Sequence, residues 1–325
     1  MKIRWILPLA MVAAQGATPE RATVEYSRTI PSVRDFTKTH SVFTRVFDWI
    51  VGPAEGKPEL LRPYATAHDS LGRLFVADPG QRGVHMYDFE KRKYLFLKGP
   101  RGNEMISPID LACDSADNLL VADSVRARIY VFDVKGKFRR AIGSDREEPR
   151  FERPAGMALD RRAQRIYVSD AKRHQVLMLD LNGRLIRALG RRGTAPGEFN
   201  FPTAVALGAD RVYVVDAMNF RIQAFKLDGQ FVNSFGRIGN QSGTLNRPKG
   251  IAVDSDGDIY VVDALFETVQ VFDPGGRLLY YFGSSGTKAG QFQLPSGISI
   301  DQRDVIYIAD SYNRRVQVFR YRRLE

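Results

Sequence analysis

Residues 247–283 read RPKGIAVDSDGDIYVVDALFETVQVFDPGGRLLYYFG. Short runs of β-branched and aromatic residues alternate in this stretch with clusters of glycine, aspartate and proline, a pattern typical of strands joined by tight turns. The stretch predicts four antiparallel strands, and no segment after the N-terminus sustains a helical period. The sequence therefore predicts an all-β protein.

One part of this stretch, a hydrophobic strand that closes on aspartate, occurs six times at intervals of 45 to 47 residues. A proline precedes each aspartate by about fifteen residues. The aspartates are Asp78, Asp123, Asp170, Asp216, Asp263 and Asp310, and the prolines are Pro63, Pro108, Pro154, Pro202, Pro248 and Pro295. Repeats of this length bury their hydrophobic faces against one another. Six units of four antiparallel strands predict a six-bladed β-propeller.

The sixth unit ends after its third strand, Arg315–Phe319, so the ring needs a strand from another part of the chain. We expect an N-terminal strand to complete this blade, because an open ring would leave two unpaired sheet edges. The predicted closing strand is Val46–Val51, which ends in Gly52 and precedes Pro63 by a linker of the usual length.

The N-terminus has the features of a secretory signal. Residues 1–17 combine Lys2 and Arg4 with an apolar run and then small residues, and the run is too short to cross a bilayer comfortably. We expect cleavage of this signal and a periplasmic or extracellular protein. Cys113 is the single cysteine, so we expect no disulfide framework.

The predicted organisation has three parts: a signal peptide over 1–17, an extended N-terminal segment over 18–42, and the propeller over 43–325. Within the extended segment, Val24–Ser27 is compatible with one strand. We expect the propeller to be monomeric.

Four motifs recur in the units: the proline, a Gly-Ile-Ala-x-Asp run, a Tyr-Val-x-Asp strand end, and an Arg-x-x-Val-Phe third strand, as in Arg315–Phe319. Together they resemble NHL repeats, over residues 43–320. The resemblance implies a six-bladed propeller similar to the secreted NHL-repeat proteins of bacteria. Relatives with this repeat include RNA-binding and protein-binding propellers and an amidating lyase, so it implies no single function.

The six aspartates are interpreted as structural turn residues. Each ends a second strand before a tight loop, where a carboxylate can accept backbone N–H bonds. Arg128, Arg221 and Arg315 follow their aspartates by five residues and are placed to reach back across the loop. The four histidines are scattered, and no phosphate loop or nucleophile elbow is present. We expect no catalytic residues, metal or cofactor; the alternative is a metal-dependent lyase or lactonase in the envelope.

In an antiparallel propeller, the loops between second and third strands lie at the same end as the linkers between blades. We call this end the linker face, and the opposite end, which holds the other hairpin turns, the turn face. The basic excess of the chain, a net charge of +11, is concentrated on the linker face, whose loops also carry large apolar residues where turns usually carry small polar ones. The predicted partner-binding residues are Arg126, Arg128, Lys172, Arg173, Met218, Phe220, Arg247, Lys249, Leu265, Phe266, Tyr312 and Arg314.

A basic face with aromatic groups predicts an envelope or extracellular protein as partner, because interfaces favour arginine and aromatic anchors. Anionic polysaccharide and lipid headgroups fit the same charge. RNA binding is a further alternative, against which the predicted export argues. The competing explanation for the apolar loop residues is that they cap the ends of the core. The sequence predicts a non-catalytic interaction or scaffold propeller.

Overall fold

The computed structural model describes residues 22–30, 59–143 and 149–323. Over these ranges the chain forms strands and a single 3-10 turn at Ala217–Asn219, as expected for an all-β protein. The strands are β1 Ala22–Ile30, β2 Ala65–His68, β3 Leu74–Asp78, β4 Gly83–Asp88, β5 Lys93–Leu97, β6 Pro108–Cys113, β7 Leu119–Asp123, β8 Arg128–Phe132, β9 Phe138–Ile142, β10 Pro154–Asp160, β11 Arg165–Asp170, β12 Gln175–Asp180, β13 Leu185–Leu189, β14 Pro202–Leu207, β15 Arg211–Asp216, β16 Arg221–Lys226, β17 Phe231–Phe235, β18 Pro248–Val253, β19 Ile259–Asp263, β20 Thr268–Phe272, β21 Leu278–Phe282, β22 Ser284–Ser285, β23 Gln291–Phe292, β24 Ile298–Ile300, β25 Val305–Asp310 and β26 Arg315–Arg323.

The strands of the described residues assemble into six antiparallel sheets of four strands, with a short parallel pair, β22 and β23, between the last two. Five blades use consecutive strands: β2–β5, β6–β9, β10–β13, β14–β17 and β18–β21. The first strands of neighbouring blades touch in succession, β2 to β6, β10, β14, β18, β24 and back to β2, so they form a closed inner ring. The predicted six-bladed propeller is confirmed.

The sixth blade has the order β1, β26, β25, β24, so an N-terminal strand closes the ring as predicted. The prediction that Val46–Val51 is the closing strand is wrong, and those residues lie outside the described ranges. Both edges of β26 are already paired, one with β25 and the other with Ala22–Ile30. Val24 and Ile30 point into the core at 8% and 2% exposure. The propeller therefore includes residues 22–30, inside the segment 18–42 that the sequence reading placed before it.

The hydrophobic core lies between blades. Each cluster of buried side chains joins two neighbouring sheets; Phe235 of blade 4, for example, packs on Phe272 of blade 5 with ring centroids 5.1 Å apart. The cluster at the closure joins Ile30 and Val316 of blade 6 to Val76 of blade 1. Because every blade depends on its neighbours, the loops of the linker face are held by the ring as a whole.

Candidate functional site

The six repeat aspartates hold the two kinds of linker-face loop together. All six are fully buried. In blade 5, the Asp263 carboxylate accepts backbone N–H bonds from Asn246 at 2.7 Å and Arg247 at 3.0 Å in the linker, and from Leu265 at 3.1 Å in the following loop. One carboxylate thus fixes the backbone of both segments, and the loop side chains project from a rigid frame.

Arg221 and Arg315 join the repeat aspartates of their blades to the linkers. The Arg221 guanidinium donates to Asp216 Oδ2 at 2.8 Å and to the carbonyl oxygens of Thr194, Ala195 and Glu198. Arg315 makes the same set of bonds in blade 6. A planar guanidinium with five donors suits this task. The positive charges of Arg221 and Arg315 are therefore paired with carboxylates, and their N–H groups are bonded to the linkers.

The predicted partner-binding residues divide by exposure. Lys172, Met218, Arg247, Leu265, Tyr312 and Arg314 are exposed on the linker face; Arg126, Arg128, Arg173, Phe220 and Phe266 are half-buried. Arg126 Nε donates to the Glu104 carbonyl oxygen at 3.0 Å, and Arg173 Nη1 donates to the Arg150 carbonyl oxygen at 2.6 Å. The side chains of Phe220 and Phe266 are thus less open to solvent than those of Met218, Leu265 and Tyr312. Both stand where the loop turns back into the third strand.

Four exposed apolar side chains share one position, the second residue after the repeat aspartate. They are Val125 at 60%, Met218 at 54%, Leu265 at 54% and Tyr312 at 63% exposure. Blades 1 and 3 have Gly80 and Lys172 there. Sequence reasoning missed Val125, although strict alignment of the six loops would have found it. We call Val125, Met218, Leu265 and Tyr312 the apolar ring.

The apolar ring lies beside the starts of the inner strands. In blade 5 the Ala264 N–H donates to the Arg247 carbonyl oxygen at 3.0 Å, which joins the loop to the residue before Pro248. In blade 4 the Met218 N–H donates to the carbonyl oxygen of Asn200, two residues before Pro202. The ring therefore surrounds the linker-face mouth of the central channel.

The channel is a cavity of about 860 Å³ lined by the inner strands. Lys249, predicted on an interblade linker, lies instead on β18 and lines this channel, because the linker ends where Pro248 begins the strand. Its Nζ lies 5.5 Å from the centroid of the Tyr64 ring. Burial lowers the pKa of Lys249 to about 8, and repulsion from Arg247 and Arg62 adds to the effect.

Asp110 also lines the channel, at a repeat position that holds glycine or alanine in the other blades. Glycine is needed in some of them: a Cβ on Gly250 would lie 2.4 Å from the Ser296 carbonyl oxygen of the next inner strand. In blade 2 the Asp110 carboxylate accepts a hydrogen bond from the Met157 N–H across the same gap. Burial raises the pKa of Asp110 to about 7, and the hydrogen bonds oppose this only in part. Sequence reasoning missed Asp110. The one feature of the sequence that could have identified it is a carboxylate at a repeat position where the other blades have glycine or alanine.

The turn-face end of the channel holds His68, on β2. Its ring packs against Tyr307 with centroids 4.0 Å apart, and Nδ1 lies 3.4 Å from Ser299 Oγ. Burial lowers the pKa of His68 to about 4, so the ring is neutral at pH 7. Within residues 22–30, 59–143 and 149–323, no three His, Cys, Asp or Glu side chains come together as a potential metal site. The same ranges contain no apolar helix of bilayer-spanning length.

Comparison with protein families gives two matches. A family described as a 6-bladed beta-propeller matches residues 158–236, and the NHL repeat matches residues 245–272 and 292–319. The chain is thus a six-bladed β-propeller that carries NHL repeats. No curated protein matches the sequence.

Several solved structures are similar. An auxiliary nutrient binding protein from Bacteroides thetaiotaomicron has a TM-score of 0.63 and 16% identity, over 81% of this chain and 70% of that one. A gluconolactonase from Xanthomonas campestris has a TM-score of 0.62 and 18% identity, over 81% and 87%. Virginiamycin B lyase from Staphylococcus aureus has a TM-score of 0.59 and 14% identity, over 81% and 97%. At these identities the likeness shows the fold alone.

Proposed function

We propose that the protein is an interaction propeller whose linker face binds an acidic protein partner in the cell envelope. The observation that carries the proposal is the apolar ring, four large side chains exposed at one repeated loop position. The loop backbone is fixed by the repeat aspartates, so these side chains are not needed to form the turn. Exposed apolar groups framed by charge mark contact surfaces.

The two faces differ in the way this proposal requires. On the turn face, the large hydrophobic loop residues exposed in the described chain are Leu71 and Val134. The linker face has the apolar ring and, in its linkers, Leu61 at 43% and Ile238 at 63% exposure. Exposed cations stand among them, including Lys172 and Arg314. An acidic partner with an apolar centre complements this surface, and charge would speed its docking.

The envelope location is part of the proposal. It rests on residues 1–17, which lie outside the described residues and have the composition of a cleavable secretory signal. Mass spectrometry of the N-terminus of the native protein tests it. A mature chain that begins shortly after residue 17 supports export, and a chain that retains Met1 in the cytoplasm overturns it and favours the RNA-binding alternative.

The binding proposal is tested by crosslinking in the native organism. The variant Met218→Ser/Leu265→Ser removes two members of the apolar ring, and the matched control Leu71→Ser/Val134→Ser makes equivalent changes on the turn face. We expect the first variant to lose specific crosslinked partners while the control keeps them. Retention of the same partners by both variants would reject the linker face as the binding surface.

A second candidate, an enzyme that acts in the channel, is favoured by one observation. Asp110 and Lys249 line one cavity, and their pKa values of about 7 and 8 suit proton transfer near neutral pH. The structural likeness to a gluconolactonase suggests glucono-δ-lactone as the first substrate to assay. Hydrolysis that Asp110→Asn abolishes would support this candidate, and an absence of turnover would remove lactone as its substrate.

A further inference from the structure

Three arginines occupy one repeat position in alternate blades. Arg62, Arg153 and Arg247 each stand directly before the proline that opens the inner strand, in blades 1, 3 and 5. All three side chains are exposed. Being two blades apart around the closed inner ring, they surround the mouth of the channel at roughly equal angular intervals.

The repeat aspartates hold the backbone of these arginines in equivalent positions. The backbone N–H of Arg62 donates to Asp78 Oδ1 at 3.0 Å, and that of Arg247 donates to Asp263 Oδ1 at 3.0 Å. Arg153 makes the corresponding bond at 2.8 Å. Because the backbone is fixed at each position, the three side chains leave the ring at equivalent points around the mouth.

Below the arginines, Lys249 adds a fourth cation inside the channel. Its Nζ lies over the Tyr64 ring, 5.5 Å from the centroid. All three arginines lie within electrostatic range of the Tyr64 hydroxyl, since each one lowers its pKa against the effects of burial and Asp110. The arginines of all three blades therefore contribute positive potential at one place, the Tyr64 hydroxyl at the channel mouth.

The cationic side chains at this mouth make no ion pairs of their own within the described residues. In the described part of the chain, the ion pairs between cations and carboxylates include none formed by Arg62, Arg153, Arg247 or Lys249. The carboxylates of Asp78, Asp170 and Asp263 lie beneath the arginines but are engaged by backbone N–H groups, and Asp110 lies deeper in the channel. The charged ends of the four side chains therefore remain available to a bound anion.

We propose that the linker-face mouth of the channel is a binding site for a small polyanion bearing carboxylate or phosphate groups, with Arg62, Arg153 and Arg247 around it and Lys249 beneath. Guanidinium groups bind both anions through paired hydrogen bonds. The cavity below the mouth, about 860 Å³, has the size of small-molecule sites. Several cations around one mouth favour a multiply charged ligand over one with a single charge.

Isothermal titration calorimetry of the full-length protein at low ionic strength tests the proposal. Citrate, inorganic phosphate and acetate are the probes: citrate and phosphate distinguish carboxylate from phosphate recognition, and acetate reports binding of a single charge. We expect saturable one-to-one binding of citrate or phosphate and much weaker binding of acetate. Equal, non-saturating responses to all three anions would overturn the proposal.

Two substitutions locate the site. Arg153→Gln removes one cation of the mouth, and Arg192→Gln removes one exposed cation from an interblade linker on the same face. We expect Arg153→Gln to weaken binding by between about tenfold and a hundredfold, as for loss of a hydrogen bond to a charged group, and Arg192→Gln to have little effect. Equal losses in both variants would indicate diffuse attraction to the face and would refute a defined site.

A second readout is specific to Lys249. With its pKa near 8, this amine is only partly protonated at pH 8. A nearby anion favours the protonated form, so binding at pH 8 should take up protons, measured as a dependence of the binding enthalpy on buffer ionisation. Tyr64, Arg62 and Arg247 also act on this amine, and Asp110 lines the same channel. Asp110→Asn removes a second titrating group of the channel, and this variant should still take up protons on binding. Adding Lys249→Met to it should abolish the proton uptake. Proton uptake that is unchanged in the double variant would place the anion elsewhere.

Discussion

Ile30 of β1 lies directly opposite Val316 of β26, so the sixth blade joins the first strand of the propeller to the last. Both side chains are buried, Ile30 at 2% and Val316 at 0% exposure, and they belong to the cluster that packs blade 6 on blade 1. The two residues therefore take part both in the strand pairing that closes the ring and in the packing of blade 6 on blade 1.

Removal of the Ile30 side chain should weaken the closure. We expect Ile30→Ala to lower the free energy of unfolding by about 2–5 kcal/mol, the usual range for truncation of a buried aliphatic residue to alanine. Urea denaturation measures the change. Ser27→Ala, at an exposed position of the same strand, is the control and should leave the midpoint unchanged. A wild-type midpoint for Ile30→Ala would show that β1 does not close the ring. Combination with Val316→Ala should give a non-additive loss, because the two side chains are in one cluster.

Asp110 should make stability depend on pH. Its pKa is about 7 in the folded protein and near 3.8 when unfolded, so the folded state holds the proton more tightly. Its contribution is fully present below pH 4 and is lost as the pH rises through 7. We expect Asp110→Asn to be more stable than wild type at pH 8, with the difference disappearing towards pH 4.

Thermal unfolding at several pH values measures this difference. His68, with a pKa of about 4, changes stability in the opposite direction over part of the same window, but it is present in both proteins and cancels in the comparison. Asp210→Asn is the control, since the Asp210 side chain is 81% exposed. A difference between Asp110→Asn and wild type that does not change with pH would contradict a raised pKa of the Asp110 carboxyl.

Arg221 should contribute to stability and not to binding. Its guanidinium bonds to buried Asp216 and to three linker carbonyl oxygens. We expect Arg221→Gln to cost about 1–3 kcal/mol, because the substitution leaves a buried carboxylate short of a charged donor. Arg187→Gln, on an exposed part of β13, is the comparison and should cost much less. Equal unfolding midpoints for the two variants would show that the Arg221 bonds do not support the loop.

Gly250 should tolerate no side chain. A Cβ at this position meets the backbone of the next inner strand, 2.4 Å from the Ser296 carbonyl oxygen, and backbone cannot move aside as a flexible side chain can. We expect Gly250→Ala to destabilise by about 1–3 kcal/mol. Gly275→Ala, in an exposed turn with Asp273 Oδ1 as its nearest atom at 3.2 Å, is the control. If both variants unfolded like wild type, the inner strands would be less closely packed than described.

The fold could be predicted from sequence because its signal is repeated. Any one strand pattern is weak, but six copies of the proline and the aspartate at constant spacing leave few alternatives. The closing strand was misidentified because it stands outside the repeat: Val46–Val51 and Ala22–Ile30 both have strand character, and only pairing with β26 separates them.

The site was less accessible to sequence reasoning. The apolar ring was found in part, at Met218, Leu265 and Tyr312, since large residues are unusual in tight loops. Lys249 was assigned to a linker and Asp110 was not identified. Both lie near the start of an inner strand, and only the exact start of that strand decides whether such a residue belongs to the linker or lines the channel. The three arginines of the mouth share one repeat position, but only the closed ring brings that position of all three blades to the same channel mouth.

The pairing of Ala22–Ile30 with Arg315–Arg323 sets an order of events during biosynthesis. The first strand of the ring leaves the ribosome nearly three hundred residues before its partner, which at about 5–20 residues per second is a delay of roughly 15 to 60 s. Throughout that interval Val24 and Ile30 have no sheet to join, and the nascent chain has an apolar end available to chaperones. Completion of the circle is therefore the last step that translation permits.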